Sequence, residues 1–179
     1  MKKICLLLIT LSLFTAANAK GGFYFGPSVG MNVSTLTKQA YSKAVVKGNV
    51  GIMLGLNITN NFGIQAEALY SWQGSKISPD LGEFNLELDY IKVPILAKMR
   101  LIAGLNIEAG VSFDFLVHSN GNITNPKKTD ISIPVGINYL LFDRLELGMR
   151  YYISTIRVPG LIDNPSKNSL FTVNARFRF

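Results

Sequence analysis

From Phe23 onward the chain alternates apolar and polar side chains with a period of two, in eight separate runs. Period two is the mark of extended strands, because successive side chains leave opposite faces of a pleated backbone. The first run sets Phe23, Phe25, Pro27, Val29, Met31 and Val33 against Tyr24, Gly26, Ser28, Gly30, Asn32 and Ser34. Similar runs follow near 47–58, 62–76, 84–100, 105–117, 130–139, 144–154 and 169–179. After residue 20 there is no run of ~18 apolar residues and no recurring helical period, so neither a membrane-spanning helix nor a helical bundle is expected. One run behaves differently. Its apolar set is Phe84, Leu86, Leu88 and Tyr90, then Ile91, Val93, Ile95, Ala97 and Met99, a slip that an extra bulged residue at Tyr90-Ile91 would produce.

The connections alternate in length. Tight links are expected around 59–61, 102–104 and 141–143, whereas those near 36–46, 77–83, 118–129 and 157–168 are longer and rich in Lys, Asn, Gly and Pro. Short turns on one rim and long loops on the other match an up-and-down antiparallel barrel of the outer-membrane type, with the short turns periplasmic. A soluble lipocalin-like barrel, apolar inside and polar outside, shares the alternation. Three features favour the membrane version. Charged residues make up only 16% of the chain, and the apolar face carries almost none. Aromatics gather at strand ends, with Phe23, Phe25, Phe62, Tyr139 and Phe177 towards the short turns and Tyr70, Trp72, Phe115 and Phe171 towards the loops, as interfacial girdles do. The sequence also closes on an apolar-face aromatic, Phe179. Eight strands of about ten residues use roughly half the chain, so the fold class expected is all-β, an eight-stranded antiparallel transmembrane barrel. Val135 and Leu147 are read as mid-membrane positions and Tyr139 as a rim position.

Residues 1–19 read as a cleaved signal peptide: Lys2 and Lys3, a short apolar run, then Ala17-Asn18-Ala19 at the cut. Residues 20–179 form the single barrel domain. Cys5, the lone cysteine, would leave with the signal, which excludes disulfides and thiolate chemistry from the mature domain. The net charge of +7 is scattered, with no nucleic-acid footprint. His118, Ser119 and Asp114 lie close in sequence, but neighbours along a strand do not make a catalytic triad. No enzyme activity, cofactor or metal site is expected.

The segments GMNVSTL, QAEALYSWQGSK, DYIKVPILAKMR, IEAGVSFDFLV and VNARFRF resemble the small outer-membrane β-barrel proteins of the PorT-like group, over nearly the whole mature chain. Tyr90-Ile91-Lys92-Val93-Pro94 is the most specific piece, with Lys92 standing where the group often carries an acid. The resemblance implies an outer-membrane location and, for one member class, a link to protein secretion. It implies no reaction.

The inward face carries the candidate site. Glu67, Glu108, Asp114, Asp130 and Glu146 share it with Lys47, Lys98, Arg100, Arg144, Arg150, Arg176 and Arg178. An eight-stranded interior is only wide enough for side chains to fill, so these charges are expected to pair and plug the lumen. Glu67, Glu108 and Arg150 are expected at its centre; Lys98, Arg144 and Arg178 are expected in the watery rims. Phe177 and Phe179 are expected to act as the assembly signal read by the barrel-insertion machinery. The leading reading is a monomeric envelope protein that contacts outer-membrane lipid and, through its loops, an envelope or secretion-system partner. A small channel and a soluble ligand-binding barrel are the alternatives.

Overall fold

The structure, a computed structural model, describes residues 22–37, 42–43, 45–77, 84–120, 129–154 and 167–179. Ala17, Ala19 and the rest of the expected signal segment lie outside these residues, as does most of each long loop. The strands are β1 (Phe23–Thr37), β2 (Ser42–Lys43), β3 (Val45–Asn57), β4 (Phe62–Ile77), β5 (Phe84–Ile102), β6 (Leu105–Asn120), β7 (Thr129–Leu141), β8 (Leu145–Ser154) and β9 (Lys167–Phe177). The two residues of β2 pair with the far end of β4 (Lys43↔Lys76). The other eight are the staves. Each pairs antiparallel with the next, and β9 returns to β1 with Val29 opposite Ala175, which closes the ring. Closure satisfies the backbone donors and acceptors that an open edge would strand in hydrocarbon.

Glycine makes the seam possible. A Cβ at Gly26 would lie 1.7 Å from the Phe177 carbonyl oxygen, so a side chain there would push β9 off β1. Beyond β9, the Phe179 amide donates to the Phe25 carbonyl at 2.8 Å, extending the seam to the short-turn rim. The aromatic rings of Phe25 and Phe179 stand 5.6 Å apart there, and those of Phe177 and Phe179 5.0 Å apart.

The alternation sorts chemistry inside out. Along β8, Glu146, Gly148, Arg150, Tyr152 and Ser154 are buried while Leu147, Met149, Tyr151 and Ile153 are exposed. The same holds around the ring, with Ile52 reaching 66% exposure. A soluble barrel would show the reverse, and this removes the lipocalin-like alternative.

Two sequence expectations need correction in detail. A bulge does sit near Tyr90, but the extra residue is Val117 of the neighbouring β6, since Tyr90 pairs with Leu116 and Asp89 with His118. Towards β4 the register of β5 runs unbroken through Trp72↔Asp89, Ser71↔Tyr90 and Tyr70↔Ile91. The polarity changes face, not the backbone. Asp89 sits outside, where it accepts a hydrogen bond from the Tyr70 hydroxyl at 3.1 Å, and Tyr90 is half-buried towards Asp114 and Asp130. A strand needs only ~9–11 residues to cross a bilayer. With 19 residues β5 rises beyond it, and the inversion falls where the wall passes the aromatic belt. The second correction concerns depth. Leu147 faces Tyr139 directly, whereas Val135 faces Tyr151, so Leu147 shares the level of the rim residue.

The short turns fall where expected. The Thr59 hydroxyl accepts from the Phe62 amide at 2.9 Å in the first, and Gly104 takes a φ of 79° in the second. In the third, the Arg144 amide donates to the Leu141 carbonyl across Phe142 (φ 50°) and Asp143 (φ 58°). Two successive left-handed residues make a type I′ turn, which normally prefers Asn-Gly. For a residue carrying a Cβ this region costs ~1–2 kcal/mol.

Candidate functional site

The lumen holds the chemistry. At its centre lies Arg150, 0% exposed, projecting from β8. Its Nη2 and Nη1 donate to the two carboxylate oxygens of Glu67 on β4, at 2.9 and 3.0 Å. Its Nε donates to Glu108 Oε1 on β6 at 2.7 Å, and Nη1 also donates to the Tyr152 hydroxyl at 2.9 Å. The planar five-donor guanidinium suits this position, because one side chain can bridge three staves.

A second layer lies towards the short turns. Arg176 of β9 donates from Nη1 to Glu146 at 2.5 Å and to Glu108 at 3.3 Å. Lys98 of β5 donates to Glu146 at 2.6 Å and to Gln65 Oε1 at 3.0 Å. Arg178 also donates to Glu146, and its guanidinium stacks 3.9 Å from the centre of the Tyr24 ring. Amides complete the acceptors: Gln65 donates to Glu67 at 2.6 Å and Asn138 to Glu108 at 2.8 Å. Tyr24 reaches over Gly55, where a Cβ would lie 2.1 Å from the ring, to donate to Gln65.

A third layer faces the loops. Lys92 of β5 meets Asp114 of β6 at 2.5 Å, and Asp114 also accepts from Ser112 and Ser132. The Lys92 ammonium lies 4.3 Å from the centre of the Tyr152 ring, linking this layer to Arg150. Beside it Asp130 accepts from Ser154 at 2.7 Å. The buried charges of the three layers are Glu67, Glu108, Glu146 and Asp114 against Lys92, Lys98, Arg150, Arg176 and Arg178. Leaving any of these buried charges unpaired would cost several kcal/mol.

The structure thus brings Glu67, Glu108, Glu146, Arg150 and Arg176 into one cluster and places Asp114 in a neighbouring one. Lys98 and Arg178 depart from their expected place in the watery rims, being only 5% and 9% exposed. The reason is Glu146, whose two oxygens collect both of them together with Arg176. Arg100 and Arg144 are exposed. Lys47 lies near the loop rim and pairs with Glu87 at 3.1 Å. Tyr24, Tyr152 and Lys92 (named only within the family-like motif) are absent from the expected lumen residues, although each falls on the inward parity of its strand. Catalytic residues are not assembled from His118, Ser119 and Asp114: Asp114 is buried among lumen donors, while His118 is exposed and faces Asp89 across the β5–β6 ladder. Among the described residues no group of three or more His, Cys, Asp or Glu could hold a metal ion.

Solved structures of similar fold include outer-membrane and surface proteins. The chain is similar to Ail, the attachment invasion locus protein of Yersinia pestis, crystallised with the heparin analogue sucrose octasulfate. The identity is 15%, the match covers 88% of this chain and 99% of that one, and the TM-score is 0.50. It is also similar to Neisserial surface protein A, at 12% identity over 89% of this chain and 99% of that one, with a TM-score of 0.51. At such identities the likeness is one of fold. No curated protein matches the sequence significantly. The family profile described as the outer membrane protein beta-barrel domain matches residues 4–179. The chain belongs to that family, as an eight-stranded barrel of the outer membrane whose lipid-facing wall surrounds a charged lumen.

Proposed function

We propose that the barrel is a sealed scaffold of the cell envelope, filled by its own side chains, and that its long loops present an interaction surface. The observation that carries this reading is Arg150, fully buried and bonded to Glu67 and Glu108 across the lumen and to Tyr152 of its own strand. A conduit needs a continuous wet path, and paired charges in the narrow interior of eight staves oppose one. The motif resemblance to the PorT-like group supports a secretion-associated or other envelope protein as the partner of the loops. Export by a signal cleaved after Ala19, insertion guided by Phe177 and Phe179, a monomeric state and the absence of catalysis complete the proposal.

The test is electrical. Purified, refolded protein in planar lipid bilayers should give negligible conductance across a range of voltages. Steady, reproducible steps that vanish on unfolding would overturn the sealed lumen and make the protein a small channel.

A further inference from the structure

The three short turns differ in chemistry. The β3–β4 turn opens on Ile58, 49% exposed, but its tip, Thr59, Asn60 and Asn61, is polar and exposed. The β5–β6 turn is preceded by Leu101 and Ile102, the latter 67% exposed, and the β7–β8 turn by Leu140 and Leu141. At the tip of the β7–β8 turn Phe142 is 89% exposed. These two apolar turns lie side by side, because the Leu140 amide donates to the Gly104 carbonyl at 2.7 Å and Leu105 pairs with Tyr139. Around the ring of eight staves the β7–β8 turn stands opposite the polar β3–β4 turn.

Phe142 occupies a left-handed position that Asn or Gly would fill without strain. In water an aromatic ring at that tip would gain nothing to offset the strain. At a membrane interface it would, because such rings settle at the headgroup level. The patch is also continuous with the lipid-facing wall, through exposed Tyr139, Leu147 and Met99.

We infer that the barrel sits inclined, with the β5–β6 and β7–β8 turns sunk into the interface of the short-turn leaflet and Phe142 seated among phospholipid headgroups, while the β3–β4 turn stands in water. The inference rests on the outer-membrane reading, and Trp72 on the opposite girdle, the only tryptophan, separates the two.

The experiment uses the mature chain, residues 20–179, which carries no native cysteine, in phosphatidylcholine vesicles whose acyl chains are brominated at shallow or deep positions. Wild-type Trp72 should be quenched; if it is not, the barrel does not span the vesicle membrane. With Trp72→Phe as background, Phe142→Trp should be quenched by shallow bromines at least twofold more than Asn60→Trp. Equal weak quenching of both, with Trp72 quenched in the wild type, would overturn the inclined seat and leave Phe142 to a periplasmic protein. Should Phe142→Trp not fold, Phe142→Cys carrying an environment-sensitive dye reports the same difference against Asn60→Cys.

Discussion

Arg150 on β8 holds both carboxylate oxygens of Glu67 on β4, at 2.9 and 3.0 Å, across the lumen and 83 residues apart in sequence. Three staves stand between β4 and β8 on either side of the ring, so this pair braces the barrel along a diameter. The same guanidinium takes Glu108, and Arg176 ties Glu108 to Glu146. The network therefore couples β4, β6, β8 and β9, which share no common turn.

Removing the central cation should be severe. Arg150→Ala leaves buried Glu67 and Glu108 with only the longer contacts of Arg176, at 3.5 and 3.3 Å, a loss of about 3–5 kcal/mol for a broken buried pair. Arg144→Ala, at an exposed position, should stay within about 0.5 kcal/mol. Urea titration in vesicles, followed by the heat-dependent gel shift of the folded barrel, gives both values. Similar midpoints for the two variants would mean that the cluster contributes nothing.

Charge on the lipid face should be rejected according to depth. Val135→Arg should cost ~2–4 kcal/mol, and Tyr139→Arg and Leu147→Arg ~0–1 kcal/mol, because the last two share one register level near the short-turn rim. The same titration reads the order. A cost for Leu147→Arg equal to that of Val135→Arg would place the membrane midplane closer to the turns than the register indicates.

Phe179 should matter more than other aromatics of the outer wall. Its amide and ring both engage Phe25 at the closing seam. Deleting Phe179, or replacing it with Asp, should lower the folded outer-membrane fraction several-fold, whereas Phe171→Ala should lower it little. The measurement is the heat-shifted fraction in isolated membranes, and equal yields would remove any special role for the seam.

Gly55 and Tyr24 should behave as a pair. Gly55→Val drives a branched side chain into the Tyr24 ring and should destabilise the barrel, by about 1–3 kcal/mol as overpacking usually does. In a Tyr24→Ala background the same change should cost far less, because the ring is gone. Equal cost in both backgrounds would show that the strand backbone, not Tyr24, needs the glycine.

Most of the architecture was legible from period-two alternation, because a lipid-facing wall must be apolar on every second residue while the narrow lumen is mostly small or polar on the others, with a few buried apolar side chains such as Met53, Leu69 and Leu96. Strand count, turn positions and barrel closure all follow from that rule. The rule fails where the wall leaves the bilayer. At Asp89-Tyr90 the outside becomes polar and the inside apolar, so a change of surroundings looks like a change of backbone parity. Membership of the inward set was legible apart from Lys92, but the pairing was not. Strand tilt and register decide that Glu146 gathers Lys98, Arg176 and Arg178, and neither can be read from a single strand. Lys92 shows the other gap: it alternates with the outward Ile91 and Val93, yet the expected inward charges omit it, and only the β5–β6 register sets it against Asp114.

The double-mutant cycle on Arg150 and Glu67 tests the braced lumen most directly. Arg150→Met, Glu67→Gln and the double variant are each titrated with urea in the same vesicles, beside the wild type. We expect the two single changes together to overestimate the cost of the double by about 2–3 kcal/mol, the coupling of a buried, bidentate pair. Additivity within about 0.5 kcal/mol would contradict it, and would mean that Arg150 and Glu67 do not hold each other across the barrel.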